Sequence, residues 1–184
     1  MGTRGSVRRF DPDRKQRITE AALRVVGEKG LDSLTFRAVA EASDVPLGST
    51  SYHFEDKGEL IGEVVKLARE RNRALSTRIL REQVAEGGLA VGLAQLIEEL
   101  TVRQHHVLVI DHDLYLASLR NRALKAESRQ WSLGFVEMLE EYTDHVTAEV
   151  LGFFFDGVCM QAAVLDIMFF ASDVEPHIRR ILRE

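Results

Sequence analysis

Residues 35–54 have room for only two short helices and a tight turn, and that pairing limits what can surround it. Thr35 can cap a helix over 35–42 that buries Val39 and Ala40. Ser43-Asp44-Val45 follows, and Pro46 opens a second helix over 46–52. Helices this short are marginal in water, so neighbours must brace them. The turn carries Asp44 where glycine would be easiest, but aspartate tolerates the left-handed backbone better than most residues. The pattern is a helix-turn-helix.

The rest of the chain is also helical in pattern. Asp11-Pro12 is a start signal, and Ile18, Ala21, Ala22, Val25 and Val26 form an apolar stripe before Gly30. One helix is expected over 12–29. Asp56 with Glu59 resembles a capping box that starts a long helix over 56–82. Its early stripe is Leu60, Ile61, Val64, Val65 and Ala68. It then turns charged, with Arg71, Arg73, Arg78 and Arg81, as suits a solvated connector, and Gly87-Gly88 breaks it. Further helices are expected over 89–103, 105–118, 121–145, 148–171 (capped by Thr147) and 174–182. Trp131, Phe135, Met138, Leu139 and Tyr142 line one side of the helix over 121–145. No segment alternates like a strand, so the fold class is all-α. Residues 1–55 form an N-terminal three-helix unit, joined to a helical unit over 56–184.

The 184 residues carry a net charge of −5. Residues 1–81 hold 16 basic and 12 acidic residues, and residues 82–184 hold 8 and 17. A basic front and an acidic rear direct any polyanion to the front. Cys159 is the single cysteine, which excludes an internal disulfide and fits a reducing compartment. The N-terminus is polar and carries Arg4, Arg8 and Arg9 with no apolar stretch behind them, so a cytoplasmic location is expected. Residues 149–171 have the length of a membrane span, but Glu149, Asp156, Gln161 and Asp166 interrupt them, and a buried helix is expected instead. Dinucleotide, P-loop, nucleophile-elbow and zincin motifs are absent, so no enzyme is read here.

The stretch LTFRAVAEASDVPLGSTSYHFEDKGEL, residues 34–60, resembles the DNA-binding signature of the TetR family of bacterial regulators. Its ending, Tyr52-His53-Phe54 followed by Lys57 and Leu60, is the most specific part. The resemblance implies that Thr35, Ser49, Tyr52, His53 and Lys57 touch phosphates, and that Arg37, Leu47, Gly48 and Ser51 lie where bases are read. Ser51 stands where the family usually has tyrosine, and Leu47 where a polar residue is frequent. Readout then leans on Arg37, which can pair with guanine, while Leu47 can meet a thymine methyl. Arg4, Arg8 and Arg9 are either a minor-groove arm or a plain tail. The resemblance also implies a dimeric repressor on palindromic operator DNA, released by a small-molecule effector held in the C-terminal unit.

Within that unit, Leu151, Phe154, Phe155, Val158 and Ala162 make a broad apolar stripe, read as the dimer interface. Tyr115, Trp131, Phe135 and Gln161 are the candidate pocket residues, two as apolar walls and two as polar anchors. His105, His106, Asp111, His112 and Asp113 form one polar cluster. It can serve a metal, a ligand or solvent; without histidines four apart no metal site is assigned, and no cofactor is expected.

Overall fold

The computed structural model describes residues 13–119, 121 and 124–184. The Asp11-Pro12 start signal and Arg4, Arg8 and Arg9 lie outside them. Among these residues eight α-helices follow one another: α1 (Arg14–Lys29), α2 (Phe36–Ser43), α3 (Leu47–His53), α4 (Lys57–Glu98), α5 (His105–Ala117), α6 (Lys125–Leu139), α7 (His145–Leu165) and α8 (Ala171–Leu182). Among the described residues there is no strand, and the all-α reading holds.

The short helices form where capping chemistry starts them. The Thr35 hydroxyl accepts the Ala38 N–H at 3.1 Å and begins α2. Asp44 closes it in the left-handed region at φ 52°, as the sequence required. Pro46 sits just before α3 rather than inside it, with ψ 141°. Asp56 Oδ1 accepts the Glu59 N–H at 2.8 Å, while Glu59 reaches back to the Glu55 N–H at 2.7 Å, one residue earlier than an ideal capping box.

Several boundaries differ from the pattern-based reading. The helix from Lys57 continues through Gly87, and only Gly88 leaves helical geometry, at φ 82° and ψ 177°. The chain doubles back there, so that a side chain at Gly92 would meet Val84 at 2.5 Å. Only a residue without Cβ takes that φ at no cost. The helix begun at residue 89 loosens into a π-type turn over Glu99–Arg103. Asp144, not Thr147, caps α7: its carboxylate accepts the Thr147 N–H at 3.1 Å. The same helix ends at Asp166 (φ 56°), so residues 166–170 are not helical. The helix expected over 121–145 is shorter at both ends.

Two apolar clusters organise these helices. The front cluster joins Ile18, Val25, Val39 and Phe54 to Leu60, Val64 and Ala68 of α4. The rear cluster joins Leu80, Leu93, Ile97 and Leu139 to Leu151, Phe155, Cys159 and Ile178. Lys15 fastens α1 to α4 by pairing with Glu59 at 3.4 Å and Glu63 at 3.2 Å. The helix α5 belongs to both clusters: Leu114 is buried in the front one and Leu108 in the rear one. Its Ile110 comes so close to α1 that a Cβ at Gly27 would lie 2.8 Å from it.

The front unit is therefore supported from behind. Leu114→Ala is expected to cost about 2–5 kcal/mol, read from urea unfolding, and to lower the stability of the front unit as much as the rear.

Candidate nucleic-acid interface and ligand cavity

The helix α3 is anchored from below and open above. Thr50 is buried with its hydroxyl donating to the Leu47 carbonyl at 2.6 Å, and Phe54 is 1% exposed. Lys15 Nζ stands 5.3 Å over the Phe54 ring. On the outer side Tyr52 is 84% and Leu47 46% exposed, large apolar surface held out on a rigid element. The Tyr52 and His53 rings meet edge to face at 5.2 Å. A Cβ on Gly48 would touch nothing within 4 Å, so the chain itself has no steric need for glycine there. Thr35, Arg37, Ser51 and Lys57 are also exposed, and Ser49 and His53 are half-buried. All nine residues singled out from the sequence thus gather on or beside the α2–α3 pair. Arg24, from α1, donates to the Ala42 carbonyl at 3.3 Å and ties the pair's brace in place.

A cavity of about 290 Å³ opens between α4, α5, α6 and α7. Tyr115, Trp131 and Phe135, three of the four expected residues, line it. Gln161 does not: it is exposed on the side of α7 turned away. Aromatic contacts stiffen the walls. Tyr115 and Trp131 meet edge to face at 6.4 Å, and Phe135 stacks on Phe155 at 4.2 Å. The Tyr115 hydroxyl is 3.0 Å from the Ser132 hydroxyl. Met138 and Met160 add soft apolar surface.

Polar residues that sequence reasoning did not assign to the cavity also line it: Asn72, Asp111, His112 and Asp156. The polar cluster over 105–113 is divided among several surroundings. His105 faces Asp166 at 3.3 Å. His106 and Asp113 are exposed, and His112 and Asp111 turn to the cavity. Asp111 is 5% exposed and accepts the Asn72 amide at 3.0 Å. Burial pushes its carboxyl up to about 7, against the smaller opposing effect of that hydrogen bond. Burial likewise raises Asp156, opposed by the nearby His112. The available signal for Asp111 was a carboxylate in line with Leu108 and Leu114 on an otherwise apolar helix face.

The stripe on α7 is split. Leu151, Phe155 and Ala162 are buried within the protomer, and Phe154 and Val158 are half-buried. Three of the five residues read as the dimer interface are thus covered by the protomer's own helices, and the edge that α7 turns to solvent carries Val146, Val150, Phe153 and Val164. Length and composition alone would let α7 cross a bilayer, but its buried side packs in the rear cluster. Cys159 is buried there, and its thiol is pushed up by desolvation and by the Asp156 charge.

The raised carboxyl of Asp111 sets a stability trend. The folded form holds a proton that the unfolded chain releases near its ordinary value of 3.8, so stability falls as pH rises from about 4 to about 7 and then levels. Asp111→Asn removes the cost. Its unfolding free energy is expected to gain on that of the unsubstituted chain by on the order of 1 kcal/mol per pH unit across that window, checked by denaturant titrations at pH 5, 6, 7 and 8.

Comparison with known proteins fits this geometry. Residues 18–64 match bacterial regulatory proteins of the tetR family. Over 54 residues the chain is 33% identical to the HTH-type transcriptional regulator AcrR of Shigella flexneri, a match spanning 29% of this chain and only a quarter (25%) of AcrR. The whole fold is similar to that of the multidrug binding protein EbrR complexed with ethidium, with a TM-score of 0.82 and 33% identity over 91% of this chain and 98% of EbrR. A member of the TetR family from Streptomyces coelicolor is as similar, with a TM-score of 0.82 and 34% identity over 92% of this chain and 98% of its own. An exposed α3 on a buried footing, a helical rear with an internal cavity and these near-full-length likenesses lead to one conclusion: the chain belongs to the TetR family of bacterial transcriptional regulators.

Proposed function

We propose that the chain is a homodimeric repressor in the cytoplasm, gripping a palindromic operator through residues 35–57 and leaving it when a small molecule fills the cavity. One observation carries the DNA reading: Tyr52 and Leu47 stand exposed above an open Gly48, on a helix whose underside is locked by Thr50 and Phe54. A rigid helix of this width suits the major groove. Thr35, Ser49, Tyr52, His53 and Lys57 would hold the phosphates, and Arg37, Leu47, Gly48 and Ser51 would face the bases. The functional division falls between residues 55 and 56, although the front cluster takes in α4 as far as Ala68.

The dimer reading rests on α7. Val146, Val150, Phe153 and Val164 recur at helical spacing on one exposed edge, with Gly157 between them offering close approach. Apolar surface of this kind asks for a partner. A second copy meeting it about a two-fold axis would use Phe154 and Val158 at the margin, and it would present two reading helices about 34–36 Å apart. The effector reading rests on the cavity and its aromatic walls. It is supported by EbrR, which has been crystallised with ethidium, malachite green, proflavin and imidazole.

Mobility shifts on DNA from upstream of the protein's own gene test the reading head. Arg37→Ala and Tyr52→Ala are each expected to weaken binding at least about tenfold, the size of one lost base or phosphate anchor. Lys57→Ala should flatten the dependence of log affinity on log salt by about 1. Unchanged binding in all three variants refutes the placement. Phe153→Glu should convert a dimer into a monomer in sedimentation experiments while leaving helical content intact.

A further inference from the structure

A second space of about 460 Å³ lies outside the effector cavity, in a groove between α1, α4 and α5. The two spaces have Asn72, Leu100 and Asp111 as common walls, and these residues stand as a partition between them. The groove follows the junction of the front unit with the rear. Leu23 enters it from α1, Leu75 from α4, and Val107 and Ile110 from α5. One edge is closed where α1 and α5 touch: a Cβ on Gly27 would lie 2.8 Å from the Ile110 Cδ1. Concave spaces of this size, walled by apolar side chains with a few polar groups and set where two units meet, are where small molecules bind.

We propose that this groove is a second binding site, for an uncharged and largely apolar molecule with a hydrogen-bond-accepting end such as a ketone or ester carbonyl. It stands independently of what the effector cavity holds.

The polar groups of the groove select that chemistry. Arg24 and Glu28 line it from α1, four residues apart and opposite in sign. Arg71 lines it from α4 and is already paired with Glu20 at 3.6 Å. Asp111, in the partition, is 5% exposed, and its carboxylate accepts the Asn72 amide. His106 completes the rim from α5 and is exposed. The charges are thus matched in sign around an apolar floor. A charged ligand would give up its hydration there without meeting an excess of opposite charge, and an uncharged one has no such cost. Arg24 supplies the polar anchor. It donates to the Ala42 carbonyl at 3.3 Å through Nη2, and a guanidinium has five N–H groups, so it retains donors for a carbonyl at the mouth.

Prodan, an uncharged naphthalene ketone, is a suitable probe for the full-length chain labelled at its methyl groups. Bound prodan is expected to give intermolecular NOEs to the methyls of Leu23, Val107 and Ile110. Leu23→Trp and Val107→Trp fill the groove from α1 and from α5, and each should weaken binding at those methyls at least about tenfold. Circular dichroism checks that both keep their helices; where one does not, the other and the NOE map decide. Arg24→Ala should weaken the same binding about fivefold, through loss of one hydrogen bond to a charged donor. The anionic 8-anilinonaphthalene-1-sulfonate should bind in the groove at least about tenfold more weakly than prodan. The proposal is overturned if saturating prodan touches none of the three groove residues, or if neither filled variant loses affinity. Unchanged binding in Arg24→Ala, or a sulfonate held in the groove as tightly as prodan, overturns the ligand class. NOEs confined to Met138 and Met160 sink the second site and leave the effector reading in place.

Discussion

Everything in this fold depends on α5 being buried on two apolar clusters at once. Leu114 completes the core under the helix-turn-helix, and Leu108 completes the core of the rear bundle. A front unit of three short helices buries too little apolar surface to be stable by itself. It gains the missing surface from α4, from this helix, and from Leu124 and Trp131 beside and within α6. The same burial fixes α1 against Ile110 and keeps α2 and α3 at a set angle to the rear. Regulation needs such a shared element, because a ligand can act at a distance only on something whose position both sites bias.

The cavity follows from the same arrangement. Its walls come from four helices, and all four also contribute to the rear core, so its shape is held by that packing. Aromatic pairs at Tyr115–Trp131 and Phe135–Phe155 stiffen it, and a buried carboxylate gives it a direction. That carboxylate is costly to ionise where it sits. Such a cost is commonly retained where a group meets a partner of opposite charge.

Local chemistry in the sequence made the front legible. Thr35, Asp44 and Asp56 act within three or four residues of themselves, so their roles follow from spacing alone. Longer-range features were less readable. The helix α7 carries Leu151, Phe153, Phe154, Phe155 and Val158 almost all the way round, so periodicity could not say which third of it meets the rear core. Gln161 failed as a pocket residue for the same reason, lying one position outside the inward edge. The true cap of α7 was missed because Asp144 and Thr147 are both good cap residues, three apart, and they bond to each other. Asp111 was legible only as one of a polar cluster, because the partner that fixes its surroundings, Asn72, lies 39 positions away.

The isolated thiol of Cys159 gives the molecule a built-in reporter. It is sealed in the rear core with its proton held tightly, so alkylating reagents reach it only when α7 peels away from its neighbours. The rate of its modification under native conditions is then the frequency with which that core opens. With no competing exposed sulfhydryl in the sequence, a cysteine introduced at any surface position could be tagged first and alone.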